Sequence, residues 1–162
     1  MSSDTEQRDR FFKEVDLGDL VRVQYRGLIF RKERVMQGYV EAMDLNYIVL
    51  CSVDPSENKT HMWRLSAPSV HIRHNCVEGY TVIEKDACDN SHIVKANLRE
   101  HVQVDFRKAN IPDKKYIIEG KVVSLDWDFL TLGDGLLHGK SILYSQIQKL
   151  TPLGYFPLGM PR

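Results

Sequence analysis

The sequence predicts a mainly β protein: two tandem small five-stranded barrels, each preceded by a short helix. Three observations carry this prediction. First, apolar and polar residues alternate over short runs. In LVRVQY, Val21, Val23 and Tyr25 face one way and Leu20, Arg22 and Gln24 the other. Second, turn residues separate these runs at the short spacing of a small barrel or sandwich. Third, the second half of the chain repeats the first. VRVQYR (21–26) resembles VQVDFR (102–107), and GYVEAMDLNYIVL (38–50) resembles GKVVSLDWDFLTL (120–132). Val21 matches Val102, Val23 matches Val104, Arg26 matches Arg107, Gly38 matches Gly120, Asp44 matches Asp126 and Leu50 matches Leu132, with one extra residue before Gly120. HIRHNCVEGY (71–80) then matches SILYSQIQKL (141–150). Self-similarity of this kind denotes two copies of one unit.

The elements follow in order. Ser3 and Asp4 cap a helix that runs to about Val15, with Phe11, Phe12 and Val15 on one face; Asp16-Leu17-Gly18-Asp19 ends it. The strands LVRVQY, VMQGYVEAM and YIVLCSV come next. A polar loop, DPSENKT, leads to MWRLS, SVHIR and YTVIE. In the second copy Ser91 caps a predicted helix over HIVKANLREH. Gly38 and Gly120 begin long central strands, where a glycine permits the sharp bend a small barrel needs. The first copy has a long excursion between its third and fourth strands, and the second a tight GDG turn at 133–135. The resulting division is 1–84, 91–150 and a proline-containing tail, 151–162, whose Tyr155 and Phe156 look exposed.

Composition narrows the function. The 22 basic and 22 acidic residues cancel, which argues against holding long nucleic acid by bulk charge, though it leaves room for a local patch. No apolar run reaches the length of a membrane helix, and the charged start is unlike a signal peptide. Three cysteines without paired spacing suit a reduced, intracellular protein, cytoplasmic or nuclear.

Residues 10–83 resemble an Sm or Sm-like (LSm) domain. The resemblance rests on Gly38, on Asp44 six residues later, on the apolar YIVL, and on VHIRHNCVEGYTVI, which stands where that family has an apolar run, Ile-Arg-Gly and an asparagine-containing turn. Residues 91–150 resemble a decayed version of the same domain. In RNA-binding members an arginine stacks on a base and an asparagine reads its edge. Carried onto this chain, the resemblance makes Arg73 the arginine and Asn75 the polar residue after it, with His74 in place of the usual glycine. Tyr47 stands where the base-reading asparagine would be, and Asn46 is displaced by one beside Asp44. In the second copy Leu143 and Phe129 occupy the arginine and asparagine positions, so its base pocket is expected to be lost. The pattern is similar to divergent Sm-like proteins that keep the barrel and lose the pocket, such as the Gemin components of the SMN complex. It implies a non-catalytic adaptor in a ribonucleoprotein or RNA-processing assembly. Such an adaptor would pair barrel edges with protein partners, among them other Sm-like components, or internally or in an oligomer. The rival functions are single-stranded RNA binding through Arg73, Asn75, Tyr47, Asn46 and Asp44, and a Tudor-like peptide reader.

Other chemistries fit less well. His71, His74, Cys76, Cys88 and His92 lack the paired spacing of a zinc site, so no metal or other cofactor is expected. No nucleophile–base pair or phosphate loop is evident, so catalysis is not expected. Asp44 and Asp126 repeat at turns, where aspartate bonds the backbone. Trp127, in the turn after Asp126, is expected to be partly exposed. A peptide-reading cage would draw on Trp127 and Tyr144, with Tyr116 and Phe129 converging on them; core packing is the plainer role for these aromatics. Arg73 is expected to emerge at the rim beside the turn over 44–47, paired with Asp44 or lying against Tyr47.

Overall fold

A computed structural model describes residues 3–27, 29–54, 69–133 and 139–155. One helix, α1 (Ser3–Glu14), precedes the strands β1 (Leu20–Arg26), β2 (Glu33–Asp44), β3 (Tyr47–Cys51), β4 (Ser69–Arg73) and β5 (Val77–Glu84). The strands β6 (Glu100–Lys108), β7 (Ile111–Leu125), β8 (Phe129–Gly133), β9 (Gly139–Leu143) and β10 (Ile147–Tyr155) follow. Short 3-10 turns, His74–Cys76 and Tyr144–Gln146, join β4 to β5 and β9 to β10. The chain divides into two units, Glu14–Asn90 and Ser91–Arg162 together with Met1–Lys13.

Both units show the same connectivity. In Glu14–Asn90 the antiparallel order is β5-β1-β2-β3-β4. In the other unit it is β10-β6-β7-β8-β9. Within its unit the central strand pairs with two others. Glu33–Tyr39 of β2 lies opposite β1, and Tyr39–Met43 lies opposite β3, with a register shift between Val40 and Ala42. On β7 the shift falls between Val122 and Ser124. A strand that changes partner through such an irregularity bends, and the sheet curls with it. Glycine allows this bend by close approach. A Cβ on Gly38 would lie 2.8 Å from the Cys51 carbonyl oxygen, and one on Gly120 would lie 3.1 Å from the Leu132 Cβ.

Period-2 alternation places matched residues in the two cores. Val21, Val23, Val40, Ile48, Leu50 and Ile72 are buried in the first, and Val102, Val104, Val122, Leu130, Leu132 and Ile142 in the second. Burying each such side chain contributes about 1.5–3 kcal/mol before ordering costs.

The sequence reading is corrected at three places. The helix α1, with Phe11 and Phe12 buried edge to face at 6.5 Å, groups through Lys13 with the second unit, whereas the sequence attached it to the first copy. The helix predicted from Ser91 does not form: 91–99 is turns and irregular chain. There Leu98 is fully buried, Arg99 adopts φ +68, and its N–H donates to the Val122 carbonyl at 2.9 Å. Anchoring of this kind overrides the weak helix preference of Ile93 and Val94. Finally, the tail is not separate at 151. β10 continues to Tyr155, with Pro152 opposite Val102 on an outermost strand of its unit, where a missing N–H is tolerated. The predicted strand MWRLS, Trp63, Asp134 and Gly135 of the GDG turn, and Phe156 lie outside the described residues.

A buried carboxylate ties the entry of the first unit to its exit. Asp19 is 0% exposed. Its oxygens accept from the Asp16 N–H at 2.9 Å, the Asp86 N–H at 2.8 Å and the Lys85 ammonium at 2.6 Å. Burial disfavours the charge on Lys85, but hydrogen bonds to Asp19 and then Asp16 outweigh it, and the ammonium is held above the ordinary lysine range. Beside it, Gly18 takes φ +92 and lies against Asn90, whose amide donates to the Leu17 carbonyl at 2.9 Å. No helix among the described residues is long and apolar enough to cross a membrane.

Candidate functional site at the knuckle between the fourth and fifth strands

The 3-10 turn after β4 meets the turn between β2 and β3, and that contact brings the predicted site residues together. The Asp44 carboxylate accepts from the N–H groups of Asn46 and Tyr47, each at 2.7 Å, which closes the turn. His74 fastens the knuckle to it twice. Its N–H donates to the Asn46 carbonyl at 2.9 Å, and its ring Nε2 donates to the Asp44 carbonyl at 2.9 Å. His74 is buried, so the residue in the usual glycine position is a structural fastener.

Arg73 stands opposite Tyr47 in the β3–β4 register, and its guanidinium carbon lies 5.5 Å from the centre of the Tyr47 ring. The His71 ring meets Tyr47 edge-on at 6.4 Å. Arg73, His71, Asn75 and Asn46 are exposed, while Ile72 between them is buried. Strand alternation accounts for this pattern. The guanidinium is therefore engaged with an aromatic neighbour of the same sheet, the cation–π arrangement expected of a flat cation over a phenol ring. The turn and the strand pair thus connect Asp44, Asn46, Tyr47 and Arg73, while Asn75 lies exposed in the adjoining 3-10 turn. The plane on which Arg73 rests is Tyr47.

The second unit builds the same knuckle from different side chains. Asp126 accepts from the Trp127 N–H at 2.6 Å. The Tyr144 N–H donates to the Asp128 carbonyl at 3.0 Å, and its hydroxyl donates to the Asp126 carbonyl at 2.8 Å. Tyr144 thus does the work of His74. Burial pushes its hydroxyl above the usual phenol range, and the Asp126 and Asp128 carboxylates push it further. Phe129 faces Leu143 in the register, so apolar side chains stand here where the first unit has Tyr47 and Arg73.

Trp127 and Tyr144 do not form a peptide-reading cage. They are 5% and 4% exposed. The His92 ring lies edge-on to both, at 5.3 and 6.2 Å, and its Nε2 donates to the Trp127 carbonyl at 2.7 Å. The expected partial exposure of Trp127 is corrected: His92, 35 residues away in sequence, covers it. Tyr116 belongs elsewhere, stacked on Phe106 at 5.4 Å. Among the described residues no three His, Cys, Asp or Glu side chains gather as a metal site, and Cys51, Cys76 and Cys88 are in no disulfide.

Two features escaped the sequence reading. One is Asp19, which reads as a helix stop. The other is the exposed hairpin tip of Ile29 and Phe30, 85% and 84% exposed, next to a run of basic residues. Its sequence signal was RKER directly after an apolar pair. Among protein families, curated proteins and solved structures, none matches this chain.

Proposed function

We propose that the chain is a tandem, divergent Sm-like adaptor, non-catalytic, which holds protein partners of a ribonucleoprotein or RNA-processing assembly through barrel edge strands. One observation carries the reading. The two units share a strand order and a fastened knuckle, yet neither keeps both residues at the positions matched to the base-stacking arginine and the base-reading asparagine: the first has Arg73 with Tyr47, the second Leu143 with Phe129. Tyr47 stands beneath Arg73, and Phe129 stands opposite Leu143. A scaffold kept twice while its pocket chemistry is replaced is better suited to assembly than to base recognition.

The outermost strands of each unit supply the means. Among the described residues β4 pairs only with β3, β5 only with β1, β9 only with β8 and β10 only with β6. Open strand edges pair readily with another chain. Leu143 on β9, Leu153 on β10 and Ile83 on β5 are exposed large apolar residues on these edges, available to a partner's side chains. Pro152 removes one N–H from β10, which makes β9 the better edge of its unit.

Paired proline substitutions test this. N–H direction alternates along a strand, so of Lys140→Pro and Ser141→Pro one removes an N–H bonded to β8 and the other an outward one. The outward variant is expected to stay folded and lose partner strands captured from extract. The inward variant is expected to lose stability. Retention of the same partners by the folded variant overturns the edge-strand reading.

A further inference from the structure

The zero net charge hides a segregation. The β1–β2 hairpin, residues 26–34, carries Arg26, Arg31, Lys32 and Arg34 against Glu33. The matching β6–β7 hairpin, residues 107–115, carries Arg107, Lys108, Lys114 and Lys115 against Asp113. Each hairpin is net +3, so eight of the 22 basic residues lie in two nine-residue segments. The rest of the chain holds 14 basic and 20 acidic residues, a net of −6. A face that only solvates would mix both signs; a four-to-one excess in both copies does not.

The hairpins also share a build. Arg26 donates to the Arg31 carbonyl at 3.2 Å, and Arg107 donates to the Pro112 carbonyl at 2.8 Å. A repeated arginine thus braces each loop from within. Among the described residues Arg26 pairs with Glu78 and Lys115 with Asp105, while Arg31, Lys32, Arg34, Arg107, Lys108 and Lys114 are in no ion pair. Aromatic rings stand among these cations. Phe30 is exposed at the first tip. In the second unit Tyr116, half-buried and stacked on Phe106, has the Lys108 and Lys114 ammonium groups 4.9 and 5.0 Å from its ring centre.

We infer that each of these two basic hairpins binds single-stranded nucleic acid, through side chains other than those of the knuckle. Cations along both strands of a hairpin follow a chain of phosphates, and rings set among them stack bases without regard to sequence. An anionic bilayer is the poorer fit. Interfacial binding grows with the apolar area inserted, and the second tip offers only Ile111 and Pro112. This inference rests on the charge distribution and not on the adaptor reading, which survives if it fails.

Fluorescence anisotropy on the full chain decides it, with labelled 20-nucleotide uridine RNA and thymidine DNA. Neutralising about three phosphates per hairpin, one for each cation in no ion pair, gives a salt slope of about −2.1 for single strands, so each hairpin loses about 20-fold in affinity between 50 and 200 mM salt. Arg31→Glu/Lys32→Glu/Arg34→Glu, and separately Arg107→Glu/Lys108→Glu/Lys114→Glu, are each expected to weaken binding at least tenfold at 50 mM salt and to flatten the slope. Phe30→Ala is expected to weaken binding about fivefold or more with the slope unchanged, the signature of stacking. Should a triple variant fail to fold by circular dichroism, Arg31→Ala and Lys108→Ala serve instead, each lowering the slope by about 0.7. The assignment is overturned by any of four results: no binding at 50 mM salt; hairpin variants that bind like wild type; equal affinity for polyglutamate; or hairpin-dependent sedimentation with phosphatidylserine vesicles without nucleic-acid binding.

Discussion

Tyr144→Phe tests how the second knuckle is held. The wild-type hydroxyl donates to the Asp126 carbonyl at 2.8 Å from a side chain that is 4% exposed. Phenylalanine keeps the ring and its contact with His92 and removes that one bond. A typical internal hydrogen bond contributes about 0.5–1.5 kcal/mol net, and an acceptor left buried without its donor adds to the loss, so the expected cost is about 1–2 kcal/mol. The alkaline limb sharpens the test. The folded hydroxyl titrates above the ordinary phenol value, so the folded state keeps its proton where the unfolded chain gives it up. Fewer protons on the unfolded chain mean that stability falls as pH rises above about 10, by up to about 1.4 kcal/mol per pH unit. The Tyr144→Phe variant, with no hydroxyl to titrate, lacks this limb. Urea unfolding at pH 8 should show wild type ahead by about 1–2 kcal/mol, and by pH 11 the gap should shrink or reverse. A gap that stays constant from pH 8 to 11 would refute the buried, neutral hydroxyl.

Asp19→Ala leaves the Asp16 and Asp86 N–H groups without their acceptor and Lys85 without its shorter ion pair; a loss of about 3–5 kcal/mol in urea unfolding is expected, and under 1 kcal/mol would mean that water takes over. The Lys85 contribution should persist through neutral pH and disappear only as pH rises through its raised titration point. Gly38→Ala drives a methyl to 2.8 Å from a backbone oxygen that cannot move aside cheaply, so about 1–3 kcal/mol should be lost by the same assay, and an unchanged midpoint would deny the close approach. Arg73→Ala should cost less than about 1 kcal/mol, because the guanidinium is exposed and touches one ring; a larger loss would give Arg73 a structural part that its contacts do not explain.

What the sequence made legible follows from period and repetition. Strand alternation fixes which residues face inward, and Val21, Val23 and Leu50 with their repeats Val102, Val104 and Leu132 are buried accordingly. Gly38 and Gly120 announced the bends because a Cβ would meet a backbone oxygen at the first and crowd the Leu132 side chain at the second. Long-range partners were not legible. Asp19 looked like a helix stop because Lys85 and Asp86, which make it a buried acceptor, lie more than 60 residues away. Trp127 looked like a surface aromatic because His92 covers it from a segment read as helix. That segment misled through composition: HIVKANLREH has acceptable helix formers, and only the burial of Leu98 and the Arg99 bond to Val122 show why the helix is not used.

The two copies act as substitution experiments on each other. Where both keep one residue type at a matched place, the unit needs it; where they differ, it does not. The aspartate that closes the turn is kept, as Asp44 and Asp126. The fastener changes from imidazole to phenol, yet it reaches the same carbonyl in both units, so geometry and not residue identity is required there. At the rim, Arg73 gives way to Leu143 and Asn46 to Asp128, each a change of charge. At the hairpins the opposite holds. The loops differ in sequence and in turn geometry, with Arg31 at φ +48 in one and Lys108 paired with Ile111 in the other, while the bracing arginine and the net +3 recur. Charge retained through a change of loop structure is not explained by folding, since exposed cations contribute little to stability. If the two units share a ligand, the hairpins are where its contacts should be sought, and the knuckle is what holds each sheet in the shape that presents them.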